Sequence, residues 1–110
     1  MELIAVCYRL SAGFPRSEEF GLRSQLRRSA ISIASNIAEG HGRGTTGEYA
    51  HSLSVAHGSL MELETQLQIA EQLGYIRRAD LVTVLEQCAE VGRMVNALAR
   101  RLKSRLANRP

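Results

Sequence analysis

A chain of 110 residues with two cysteines, two prolines and no tryptophan is one domain with room for a single core. Aromatic residues make up 5% of it, which leaves the core to Leu, Ile, Val and Ala, a composition that suits packed helices and argues against a β-sandwich. The net charge of +3 admits a phosphate partner, while no apolar run approaches the ~20 residues of a membrane span.

The opening Met-Glu-Leu-Ile-Ala lacks the basic region of a secretory signal. A cytoplasmic protein is expected, with Cys7 and Cys88 as reduced thiols on apolar helix faces.

The first predicted helix is Glu2–Ala12, where Leu3, Val6 and Leu10 recur at helical spacing. Gly13-Phe14-Pro15 breaks it. Ser17 is the expected N-cap of a second helix, 17–39, with Glu18 and Glu19 in its first turn. Leu22, Leu26, Ala30, Ile33 and Ile37 form its apolar stripe, and Gly40 is the expected C′ residue. Beside that stripe lies a polar line, Gln25, Ser29, Ser32 and Asn36. A solvated face ordinarily carries Lys and Glu, so this line predicts polar groups satisfied between helices.

A capping box, Thr45-Thr46-Gly47-Glu48, starts the third helix. Tyr49, Leu53, Ala56, Leu60, Leu63, Leu67 and Ala70 then alternate steps of four and three, a coiled-coil-like seam. Gly58 interrupts this helix at a cost of about 1 kcal/mol relative to Ala, and close approach of another helix is the expected reason. Gly74 ends the helix. The fourth helix runs from about Ala79-Asp80 to Leu106 on Leu81, Val84, Cys88, Val91, Val95, Leu98 and Leu102.

Short connections imply antiparallel neighbours, so the expectation is an all-α, up-down-up-down four-helix bundle with a short first helix, one domain over residues 1–110. The short first helix would leave apolar surface bare on its neighbours. Either a homo-oligomer covers that surface or the first helix continues upstream of Met1.

The residues offer little catalytic chemistry. Gly42-Arg43-Gly44-Thr45-Thr46-Gly47 matches G-x-G-x-x-G, yet a helix precedes it where a dinucleotide site needs a strand. It reads as a helix–helix turn, or as an anion site offering Arg43 and free N–H groups. Glu48-Tyr49-Ala50-His51 matches the Glu-x-x-His of di-iron bundles without the required second copy. His41, His51 and His57 lack ligand spacing, and no serine sits in Gly-x-Ser-x-Gly. No catalytic residue, metal site or cofactor is expected.

Charge is the stronger signal. From Met94 onward there are Arg100, Arg101, Lys103, Arg105 and Arg109 and no acid, whereas Thr45 to Gln72 holds acids and no Lys or Arg. The basic end reads as phosphate-contacting or as cations complementing a helix C-terminus. Folding the second helix back on the third places Arg28 within about a turn of Glu62. Gln25, Arg28, Ser32 and Asn36 would then mesh with Ser59, Glu62 and Gln66 to set helix register. Arg23 and Arg27 are expected to face outward as part of a basic patch, and Arg28 to be structural.

The combination of Phe14-Pro15, Phe20-Gly21-Leu22, Ser24-Gln25-Leu26-Arg27-Arg28-Ser29-Ala30, Ser35-Asn36-Ile37-Ala38-Glu39-Gly40, Glu62-Leu63-Glu64-Thr65-Gln66-Leu67, Leu73-Gly74-Tyr75-Ile76 and Val91-Gly92-Arg93-Met94 resembles the bacterial four-helix-bundle proteins encoded by intervening sequences within 23S ribosomal RNA genes. The resemblance implies an antiparallel bundle assembled as a ring-like homopentamer. It also implies kinship with the nucleic-acid-binding accessory protein of diversity-generating retroelements, and no enzymatic activity.

Two functions follow as expectations. One is a non-enzymatic oligomer binding RNA or DNA through Arg23, Arg27, Arg43, Arg100, Arg101, Lys103 and Arg105. The other is a scaffold that docks a partner protein.

Overall fold

A computed structural model describes residues 1–42 and 45–107. Four helices follow in chain order: α1, Glu2–Ala12; α2, Leu22–Gly42; α3, Thr46–Gln72; and α4, Arg78–Ala107. They form a rod 55 × 24 × 18 Å in extent. α2 packs on α3, α3 on α4, and α1 bridges α2 and α4, as an up-down-up-down bundle requires.

The leucine seams become the core. Leu53, Ala56, Leu60, Leu63, Leu67 and Ala70 of α3 are buried, as are Leu26, Ala30 and Ile33 of α2 and Leu81, Val84, Cys88, Val95 and Leu102 of α4. Because α1 is only 11 residues long, the core divides. One cluster joins Leu3, Val6, Cys7 and Phe14 of the α1 end to the other three helices. The second, centred on Leu53, Val95 and Leu102, has no α1 layer, and Ile37, Val91 and Leu98 beside it are only half-buried.

Three local expectations are corrected. α2 begins at Leu22, after a single 3-10 turn at Arg16–Glu18, and Ser17 does not cap it. The cap is Glu18, whose Oε1 accepts the Leu22 N–H at 3.0 Å while Oε2 accepts the Tyr75 hydroxyl at 3.0 Å. Gly21 makes room: a Cβ there would lie 2.7 Å from Glu18 Oε1.

Gly40 is not a C′ residue but lies within α2, which continues to Gly42. There α2 and α3 approach so closely that a Cβ at Gly40 would collide with the Tyr49 ring and lie 2.9 Å from Ser52 Cβ. Gly58 is the converse, because a Cβ there meets nothing within 4 Å among the described residues, so no described helix closes on it.

Two expected stops hold. Thr45 Oγ1 accepts the Glu48 N–H at 3.1 Å at the start of α3. Gly74, at φ +79°, closes α3 in a Schellman arrangement, with Tyr75 N–H on Ala70 O at 2.8 Å and Gly74 N–H on Glu71 O at 2.9 Å.

Cys7 and Cys88 are both fully buried and free. Burial pushes the Cys7 thiol up to about 11 and, with added repulsion from Cys7 and Glu64, the Cys88 thiol up to about 12. Only thiolates react readily. A thiol-specific disulfide reagent at pH 8 should therefore modify neither cysteine in the native protein and both in denaturant; stoichiometric reaction of the folded protein would contradict this packing.

Candidate functional site

The α2–α3 face carries the polar line. Ser32 and Ser59 hydroxyls lie 2.8 Å apart across the two helices, and Asn36 Nδ2 donates to Ser32 O at 2.9 Å and to Ser32 Oγ at 3.2 Å. Short hydroxyls reach across the gap, and that bridge fixes the register of α2 against α3. The longer side chains do not close over it. Gln25, Arg28, Ser29, Ser32, Ser59, Glu62 and Gln66 line an open groove of about 310 Å³, with Gln25, Arg28 and Glu62 at its exposed rim.

The expected network is thus only partly drawn together. Arg28 and Glu62 share the groove, yet neither has an ion pair or hydrogen bond among the described residues. Gln66 Oε1 is buried without a donor.

The expected division of the three arginines is reversed. Arg28 is exposed, whereas Arg23 and Arg27 are half-buried against the C-terminal end of α1. Arg23 donates through Nε to Ser11 O at 3.0 Å and through Nη2 to Phe14 O at 2.6 Å. Arg27 donates through Nε to the fully buried Ser11 Oγ at 2.8 Å and through Nη2 to Tyr8 O at 3.3 Å. Its guanidinium carbon lies 4.5 Å from the centre of the Tyr8 ring, a cation–π contact.

The physical reason is the helix end. The last carbonyls of α1 have no intrahelical donor, and the negative end of the dipole favours cations. Both arginines are therefore structural, a role their sequence neighbourhood gave little sign of, since their acceptors are the Ser11 hydroxyl and carbonyls at and just past the end of α1. Arg27→Ala should cost about 1–2 kcal/mol in a urea titration, through lost charge-assisted hydrogen bonds, and leave nucleic-acid affinity unchanged; a loss of affinity without a loss of stability would reverse this assignment.

Arg43 lies outside the described residues, as does Arg109. The remaining basic candidates sit together at the free end of α4. Arg100, Arg101, Lys103 and Arg105 are all exposed, and none has an ion pair among the described residues. At the opposite pole, Arg77 pairs with Asp80 at 3.2 Å and Arg78 with Glu71 at 3.8 Å, which neutralises that end. Arg100 and Lys103 also wall a cleft of about 550 Å³ between α3 and α4, lined by Ala50, Ser54, Asn96, Ala99 and Leu106. The floor is small and neutral and the rim is cationic.

Among the described residues no group of three or more His, Cys, Asp or Glu could hold a metal ion, and no helix is long and apolar enough to cross a membrane.

Helix order, antiparallel packing and an end-on cationic surface define the class: an all-α four-helix bundle with a basic pole. Within that class, the family described as 23S rRNA-intervening sequence protein matches residues 1–97, and the chain belongs to that family. No curated protein matches. A crystal structure of a protein of unknown function from the S23 ribosomal protein family of Bacteroides thetaiotaomicron VPI-5482 is similar at a TM-score of 0.76 and 22% identity, over 87% of each chain. That likeness supports the four-helix fold.

Proposed function

We propose that the chain is a non-enzymatic, cytoplasmic, homo-oligomeric bundle, a ring of five copies, that binds RNA or DNA through the phosphate backbone. The observation that carries the reading is the α4 pole, where four exposed cations stand without a carboxylate partner among the described residues. No Phe, Tyr or Trp occurs after Tyr75, so α4 itself offers no aromatic platform and its contribution to binding is electrostatic. Self-association is supported by the bundle half that α1 leaves uncovered and by the apolar side chains exposed on α2, α3 and α4, among them Ile31, Val55, Met61, Ile69, Val82 and Met94.

The test is fluorescence anisotropy with a labelled single-stranded RNA and an RNA duplex, at about 50 and 200 mM salt. Affinity should fall steeply with salt for both and vary little with sequence. No binding at the lower salt would replace this reading with that of a scaffold for a partner protein.

A further inference from the structure

α3 carries two seams. Val55, Gly58, Glu62, Thr65 and Ile69 repeat at steps of three and four, and all are exposed. Each lies two residues past a core position (Leu53, Ala56, Leu60, Leu63 and Leu67), which is about 200° around the helix. This outer stripe is therefore directly opposite the core seam. It holds a single charge and a mid-helix glycine whose Cβ would meet nothing within 4 Å among the described residues. A solvated helix face ordinarily alternates Lys and Glu; this one has the spacing of a helix-packing seam and no helix on it.

α4 presents a matching exposed line: Val82, Glu86, Ala89 and Arg93, again at steps of four and three. Neither Glu86 nor Arg93 has a partner among the described residues. Both seams thus leave one acid and one base unpaired, Glu62 with neighbouring Arg28 on one side and Glu86 with Arg93 on the other.

The levels agree as well. Leu60 packs directly on Gly92, where a Cβ would lie 3.3 Å from Leu60 Cδ2, so Arg93 lies within about one turn (~5.4 Å) of the level of Glu62. Arg28 shares a groove with Glu62, and Glu86 lies about two turns (~10.5 Å) from Arg93 along α4. A second copy set alongside without axial slip brings its Arg93 within about one turn of the level of Glu62. The outer seam runs ~21 Å along α3 from Val55 to Ile69.

We infer that the outer seam of α3 is the surface on which a second copy docks by its α4 line, Glu62 meeting Arg93 of the second copy. The contact is head-to-tail, and with no axial slip its repetition closes a ring where the rotation between copies divides the circle. Gly58 lets the two helices approach closely, as small residues do at helix crossings. This inference rests on the self-association proposed above and names its surface.

The experiment is sedimentation velocity on the full chain and on Glu62→Arg, Arg93→Glu, the double variant and Gly58→Arg, with circular dichroism to verify helix content. Glu62→Arg and Arg93→Glu should each abolish assembly, the double variant should restore it, and Gly58→Arg should abolish it while remaining helical. A wild-type monomer at all concentrations would overturn self-association itself. Wild-type assembly that survives the single charge reversals, or Gly58→Arg, would overturn this surface alone. Single variants that dissociate without rescue in the double would overturn the Glu62–Arg93 pairing.

Discussion

Leu60→Ala is expected to lower stability by about 3–4 kcal/mol and the unfolding temperature by roughly 12–16 °C. Leu60 is fully buried, lies in the cluster that all four helices share, and presses its Cδ2 against the bare backbone of Gly92. Helices on every side hold the cavity open, so little of the lost contact is recovered by collapse. A chain of this length has a total stability on the order of 5–15 kcal/mol, and the loss is a large share of it.

Leu102→Ala should cost less, about 1–2 kcal/mol. Leu102 lies in the second cluster, which has no α1 layer and where Leu98 and Ala99 are only half-buried, so neighbours can settle inward and water already reaches the edge. Thermal unfolding of the two variants side by side checks the division of the core. Equal losses would mean that the rod is packed uniformly along its length.

The same periodicity that announces the core also locates features that are easy to misread. The seam Tyr49 to Ala70 is legible because steps of three and four over six turns fit only a helix with one buried face. Gly40 continues the apolar stripe of Leu26, Ala30, Ile33 and Ile37 by a step of three, which marks it as a core-facing contact; its Gly-rich surroundings suggest a helix stop, and that competing signal is the one the sequence reading follows. Gly58 lies two residues past Ala56 and so points away from the core. The spacing carries that information, while the expectation of close approach looks inward for a partner.

Other features leave almost no trace in sequence order. Glu18 caps α2 because Tyr75, 57 residues later, orients its carboxylate, and the two are brought together only by the closed bundle. Arg23 and Arg27 find most of their acceptors on backbone carbonyls at and just past the end of α1, groups every residue possesses and no motif distinguishes. A run such as Arg23 to Arg28 reads as a surface patch on composition alone. The α4 pole is legible for the opposite reason: Arg100, Arg101, Lys103 and Arg105 flank Leu102, the last buried leucine, off its core stripe, and are exposed.

Replacing Arg100, Arg101, Lys103 and Arg105 together by Gln is the variant with the largest expected effect on binding. If each cation neutralises one phosphate of a single strand, the logarithm of affinity changes with the logarithm of salt at a slope of about −2.8, and raising salt from about 50 to 200 mM weakens binding roughly 50-fold. The variant should lose this slope and bind on the order of 10³-fold more weakly at the lower salt. Stability should change by less than about 0.5 kcal/mol, because all four side chains are exposed and none has an ion pair among the described residues. Helix dipole effects work in the same direction but stay small: they fall off within the last turn, where Arg105 is the basic residue, and are screened by the salt that the titration varies. Affinity and stability are therefore separable here, and anisotropy and urea titrations on one preparation measure both. A variant that keeps the wild-type salt slope would move the phosphate contacts away from α4 altogether, with Arg27→Ala, whose guanidinium is committed to α1, already serving as the comparison that separates a weakened fold from a weakened interface.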